Sequence, residues 1–400
     1  MAGTGGFSVS GYGPGERGLW ATLAARDSMA RRLDWPLMFS ALALSAVGSV
    51  LVWSATRNRT DLNQGDPYYF FFRHVLNTGI GLALMIGTIW LGHRTLRGAV
   101  PVLYGISVVL VLLVLTPLGA TINGAHAWIV LGGGFTLQPS EFVKITIILG
   151  MAMMLAARVD AGDQVHPDHR TVAKSLGLAV IPIVIVMMMP DLGSVMVMAM
   201  IVLGVLLASG ASNRWIFGLI GTGIAGAVAV AALGVLDEYQ INRFAAFANP
   251  ELDPAGVGYN TNQARIAIGS GGLTGTGLFK GSQTTGQFVP EQQTDFVFTV
   301  AGEELGFLGA GLILVLLGVV LWRACRIARE TTELYGTIVA AGIIAWFAFQ
   351  SFENVGMTLG IMPVAGLPLP FVSYGGTSMF AVWIAVGLLQ SIRVQRPITA

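Results

Sequence analysis

The sequence predicts an all-α polytopic integral membrane protein. It has about ten transmembrane helices and a large ordered extracytoplasmic loop between the seventh and eighth. Three observations predict this. Hydrophobic residues make up 54% of the 400 and charged residues only 11%, against about 25% charged in a soluble domain. Mean hydropathy is +0.71. Apolar runs of about 20 residues, the length that crosses a bilayer, recur along the chain.

The runs fall near 36–55, 73–92, 98–117, 140–158, 174–189, 192–210, 214–236, 296–322, 335–361 and 376–393. The first begins near Pro36, behind a polar tail, too late and too long for a cleaved leader. It is expected to act as a signal anchor. Only Pro190-Asp191 separates the fifth and sixth. Charge sets the orientation. With the N-terminus inside, 15 of the 22 Lys and Arg fall on inner segments, 6 on outer ones, and Lys144 within a span (15 + 6 + 1 = 22). Cationic bias of this kind marks the cytoplasmic side. The expected layout is a cytoplasmic tail over 1–35, a ten-helix domain over 36–393 and a cytoplasmic tail over 394–400, with 237–295 outside.

The outer segment 237–295 far exceeds ordinary connections. Ile241, Phe244 and Phe247 form an apolar face that predicts a short interfacial helix, ended by Pro250. A run rich in glycine follows, from Gly269 to Gly281, suited to tight turns and close approach to a ligand. No internal repeat of the transporter kind is visible.

Bulk balance excludes some classes. A net charge of +1 gives nucleic acid no footing, and Cys325, the sole cysteine, excludes an intrachain disulfide. No HExxH, CxxC, P-loop or GxSxG is present.

Ionisable residues in a bilayer are functional candidates. Glu141 and Lys144 stand three apart on one face of the fourth span, behind the helix start Gln138-Pro139-Ser140. They read either as a structural ion pair or as a site where Glu141 binds a cation or substrate group. Asp295 stands where the outer segment re-enters the membrane. It reads either as a helix cap or as a base facing substrate. Glu303 and Glu304 are adjacent and point different ways, so one of them is expected to face a cavity. Arg243, Arg265 and Lys280 on the outer segment read either as solvated charges or as a phosphate clamp.

Five strings together resemble the SEDS family (shape, elongation, division and sporulation proteins), and they do so in the family's order. They are Gln138-Pro139-Ser140-Glu141-Phe142-Val143-Lys144, Pro190-Asp191-Leu192-Gly193-Ser194, Pro290 through Phe298 with Thr294-Asp295 at its heart, Glu303-Glu304-Leu305-Gly306, and Gly366 through Gly376 including Ser373. The resemblance covers about residues 36 to 393. Asp253 through Thr284 is more similar to the RodA branch than to the FtsW branch. Two positions depart from the pattern. Ala127 stands where many members have a basic residue before the Trp, here Trp128, and Gln293 where many have His.

The resemblance implies a peptidoglycan glycosyltransferase of the bacterial cytoplasmic membrane, polymerising lipid II at the outer face for cell elongation and shape. It implies a class B penicillin-binding protein as partner. On that reading Asp295 is the catalytic base. Arg243, Arg265, Lys280, Glu141, Lys144, Gln138 and Ser373 bind substrate. Glu141 is the metal candidate, for a Mg or Mn ion that the sequence does not itself require. A lipid II flippase or transporter, or a division-specific polymerase like FtsW, is the competing expectation.

Overall fold

The computed structural model describes residues 29–122, 125–132, 135–189, 191–232 and 257–395. Arg243 and the expected interfacial helix over 241–247 lie outside the described residues.

Among the described residues, nine long apolar helices stand where nine of the ten runs were expected, their ends displaced by a few residues, and a tenth covers the later part of the eighth run and extends past it. They begin with α1 (Trp35–Thr56), α2 (Tyr69–Leu91) and α3 (His93–Val114). A small antiparallel meander follows, β1 (Gly119–Ile122), β2 (Ala125–Gly132) and β3 (Phe135–Leu137), in the order β1-β2-β3. Then come α4 (Pro139–Asp160), α5 (His169–Met187), α6 (Leu192–Ala208) and α7 (Asn213–Ala232). After the outer segment's helix α8 (Val257–Ser270) and the short α9 (Val297–Glu304), the chain closes with α10 (Gly306–Glu330), α11 (Leu334–Leu359) and α12 (Gly376–Val394). Eight of these helices are long and apolar enough to cross a membrane. α6, at 17 residues, reaches the lower end of the spanning range, and α7 has 20 residues.

The helix starts follow local chemistry. Asp34 accepts the Leu37 N–H with Pro36 in the first turn of α1, Asp168 caps α5 and Asp191 caps α6. Each cap satisfies an amide that has no partner within its helix. α1, α4, α11 and α12 make the interior, while α2, α3, α5 and α10 turn apolar faces outward. Phe72, Ile86, Trp90, Phe307 and Val315 are exposed there. Such a surface is costly in water and natural against lipid. The chain is a multi-pass membrane protein.

At the end of the bundle away from β1–β3, a fully buried Asp34 takes the Arg323 Nε at 2.8 Å. Gln390 of α12 bonds the Asp34 backbone on both sides. This ties α1, α10 and α12 together.

The expected eighth span, 296–322, is two helices. α9 ends at Glu304, and the chain turns at Gly306, φ +68°, the first residue of α10. A Cβ at Gly306 would lie 2.2 Å from the Gly275 amide nitrogen, so only glycine fits. The carbonyls of Gly272 and Leu273 accept the first α10 amides, from Phe307 and Leu308. The outer segment is thus pinned into the break. α8 is held by a small separate core of Ala264, Ala267, Val289 and Phe296, which sets the residue next to Asp295.

Candidate active site

A cleft of about 160 Å³ opens where several helix starts converge. Gln138 and Glu141 enter from the start of α4, Asp191 and Ser194 from α6, Thr294 and Asp295 from the approach to α9, and Thr377 and Ser378 from α12. Gly366, Pro368 and Tyr374, from the loop between α11 and α12, complete the wall. Three carboxylates therefore line one cleft, and among the described residues no Lys, Arg or His side chain lines it.

Each carboxylate is placed by its own element. Pro139 starts α4 and fixes Gln138 just outside it, where the Gln138 amide donates to Thr377 Oγ1 at 3.1 Å. Gln138 Nε2 lies 3.4 Å from Asp191 Oδ2. Asp191 Oδ1 accepts the Ser194 N–H at 3.0 Å, so capping fixes this carboxylate in the wall.

Asp295 does not cap α9. The helix begins after Phe296 and has no side-chain cap. Instead the Glu291 carbonyl, at a residue with φ 51°, accepts the amides of Thr294, Asp295 and Phe296. That tight turn carries Asp295 into the cleft. Asn354 of α11, fully buried, donates through Nδ2 to the Asp295 carbonyl at 2.8 Å and to the Leu367 carbonyl at 2.7 Å. One amide thus fixes the separation between the Asp295 turn and the Leu367 segment of the α11–α12 loop. Gly366 has φ +70°, and a Cβ there would stand 3.4 Å from Asp295 Oδ2.

Glu141 and Lys144 form the buried ion pair, Nζ to Oε1 at 2.7 Å, with Lys144 fully inaccessible. Lys144 also lies 3.4 Å from Gln350 Oε1 and 4.8 Å from the centre of the Trp346 ring. Gln350 Nε2 donates to the Pro368 carbonyl at 2.7 Å, so the network returns to the cleft wall. Lys144 steadies Glu141 from behind and does not line the cleft. Glu141 Oε2 is buried without a hydrogen-bond partner among the described residues.

The remaining sequence candidates lie elsewhere. Ser373 Oγ is buried and accepts the Leu369 N–H at 2.8 Å. Arg265 is exposed on α8, with its Cδ 3.4 Å from where a Gly360 Cβ would be, and Lys280 is exposed beyond α8. Neither lines the cleft. Neither Glu303 nor Glu304 lines it either. Glu303 accepts the Gln283 and Thr284 amides and the Thr284 hydroxyl at 2.7–2.9 Å, while Glu304 accepts the Ser54 hydroxyl at 2.6 Å. They brace the outer segment and the far end of α9.

Two contributors escaped sequence reasoning. Asn354 is an amide in an apolar helix, and polarity at that depth was the only signal available. Tyr374 reaches the cleft while its amide donates to the Gln293 carbonyl at 2.8 Å. Burial pushes the Tyr374 phenol up, with a hydrogen bond from Arg73 pulling the other way.

The FtsW/RodA/SpoVE family model, described as cell cycle protein, matches residues 35–397. A probable peptidoglycan glycosyltransferase FtsW of Trichlorobacter lovleyi is 35% identical, over 90% of this chain and 92% of that one. Among solved structures, a chain of a peptidoglycan synthase complex aligns with TM-score 0.73 and 31% identity, over 92% of this chain and 99% of that one. The rod shape determining protein RodA of Thermus thermophilus aligns with TM-score 0.65 and 30% identity, over 91% and 97%.

Proposed function

This chain belongs to the FtsW/RodA/SpoVE family of cell cycle proteins, and from that premise we propose that it is a peptidoglycan glycosyltransferase. It polymerises lipid II, a disaccharide-pentapeptide on undecaprenyl diphosphate, at the outer face of the bacterial cytoplasmic membrane, with both termini in the cytoplasm. The observation that carries the reading is Asp295 in the wall of a cleft at one end of a membrane-spanning bundle. A sugar tethered to a lipid needs its reacting end in water and its tail in the bilayer, and that end of the bundle offers both.

The chemistry needs one base. The acceptor sugar hydroxyl oxygen bonds to the anomeric carbon as the bond from that carbon to diphosphate breaks. The hydroxyl proton passes to the Asp295 carboxylate. Diphosphate departs as an anion, so no acid need protonate it, unlike the two-carboxylate glycosidases. In-line displacement inverts the anomeric centre. Asn354 ties the Asp295 turn to the Leu367 carbonyl, and Lys144 fixes Glu141.

Glu141 Oε2, an orphaned oxygen in the cleft wall, is a hard ligand of the kind Mg or Mn takes. Glu141 and Asp191 would hold such an ion, which supplies positive charge where diphosphate leaves. Among the described residues no three His, Cys, Asp or Glu side chains gather to hold a metal.

Similarity over Asp253–Thr284 to the RodA branch supports a role in elongation and shape. Alignment with a chain of a peptidoglycan synthase complex supports a class B penicillin-binding protein as partner. Purified chain in proteoliposomes with lipid II tests the reading. Glycan strands without any partner present support it. Lipid II that crosses the bilayer unpolymerised would establish the flippase instead.

A further inference from the structure

The loop between α11 and α12 supplies cleft wall from Ala365 to Pro368, yet it has few means of holding itself. Pro363, Pro368 and Pro370 carry no N–H, and residues 363–369 form no helix or strand. The carbonyls of such a segment need donors from elsewhere. Two donors come from one face of α11. Gln350 and Asn354 stand four apart, one helical turn, and both are fully buried. Gln350 Nε2 donates to the Pro368 carbonyl at 2.7 Å, and Asn354 Nδ2 to the Leu367 carbonyl at 2.7 Å.

The other end of the Gln350 amide faces α4. Its Oε1 accepts the Trp346 indole N–H at 2.6 Å and lies 3.4 Å from Lys144 Nζ. These contacts fix which way the amide points. Turned over, it would set an NH2 group against the indole N–H and the ammonium, and an oxygen against the Pro368 carbonyl. Lys144 Nζ meets Glu141 Oε1 at 2.7 Å, Gln350 Oε1, and the Trp346 ring, whose centre is 4.8 Å away. Residues of α11 therefore seat this ammonium as much as its own helix does. Glu141 and Pro368 both line the cleft, whereas Gln350 does not.

We infer that Gln350 is a positioning residue of the cleft, its one buried amide setting the Lys144–Glu141 pair and the Pro368 wall in register. It acts through Lys144 on Glu141, and through Pro368 on the loop that Asn354 ties to the Asp295 turn. A single face of α11 thereby spaces Glu141 from Asp295. The inference rests on the glycosyltransferase reading for the reaction in which that spacing matters.

The test uses the full chain in nanodiscs with lipid II as substrate. Gln350→Met keeps the length of the side chain and removes both ends of the amide. It should lower kcat roughly ten- to hundredfold, the effect of a misplaced reacting group, with KM little changed. Lost packing alone would lower the thermal midpoint without that split. The rate losses of Gln350→Met and Asn354→Ala should not multiply, because the two amides hold one loop. Trp346→Phe keeps a ring against Lys144 and loses the indole N–H. It should lower kcat by a smaller factor, and it decides the matter if Gln350→Met does not fold. Parental kcat in these variants, or losses that multiply, would overturn the inference. Hydrogen exchange gives a readout apart from activity. Gln350→Met should raise exchange over both 364–375 and 139–145, and a rise over one or neither would overturn the shared register. If the parent polymerises no lipid II, the enzymatic reading fails, and the exchange measurement then decides the role of Gln350.

Discussion

Asn354→Ala is the most informative single perturbation of the cleft. Its Nδ2 is the shared donor to the Asp295 and Leu367 carbonyls, at 2.8 and 2.7 Å, from a side chain with no exposure. Truncation leaves one buried and one half-buried carbonyl without that donor, at about 1–3 kcal/mol each at most. The folded protein should therefore lose about 2–6 kcal/mol by the same measure, within reach of a shifted but still cooperative melt. The kinetic effect is separable. With the amide gone, the Asp295 turn and the Gly366–Pro368 wall are no longer held at fixed separation. A misplacement of about 1 Å costs about a hundredfold in rate. Lipid II polymerisation in nanodiscs, measured on protein that still melts cooperatively, should show kcat down by about that factor with KM little changed. Asn354→Asp should be no better, because an ionised carboxylate would face two carbonyl oxygens. A variant that melts lower yet polymerises at the parental kcat would refute the claim that Asn354 positions the base.

Lys144→Met strands Glu141 in the interior and should destabilise by about 3–5 kcal/mol, read as a lower thermal midpoint in detergent. Adding Glu141→Leu should recover much of that midpoint without restoring activity. Gly366→Ala puts an L side chain at φ +70°, at about 1–2 kcal/mol, and the strain falls on the backbone beside Asp295. Activity should fall well beyond the stability loss in a paired melt and turnover assay. Glu303→Gln removes a carboxylate that accepts three hydrogen bonds from Gln283 and Thr284. Hydrogen exchange over residues 276–286 should rise while that of α4 stays unchanged.

The ten apolar helices were legible because each run is long and carries few charges, and bilayer length leaves little choice. The break at Leu305–Gly306 was not. Phe296 through Trp322 reads as one apolar run, and what splits it is the outer segment's backbone offering carbonyls to Phe307 and Leu308. That contact joins residues far apart in sequence. The meander β1–β3 was missed because its strands are short, and Val130 and Leu131 are both exposed, so no alternation marks them. Asp295 and Glu141 stood out as carboxylates beside apolar runs, and both line the cleft. Asp191 was visible only as an edge residue, since its neighbour Gln138 comes from another helix. Lys144 faced the same limit in reverse. Spacing put it beside Glu141, but only packing on Trp346 and Gln350 shows that it looks away from the cleft.

Single-turnover polymerisation of lipid II by the Asp295→Asn protein bears most directly on the proposed chemistry. An amide there keeps the shape of the cleft and cannot take the acceptor proton. Lipid II should still bind, and glycan product should be lost. Strands formed at the parental rate by that variant would show that the proton goes elsewhere and that residue 295 is not the base.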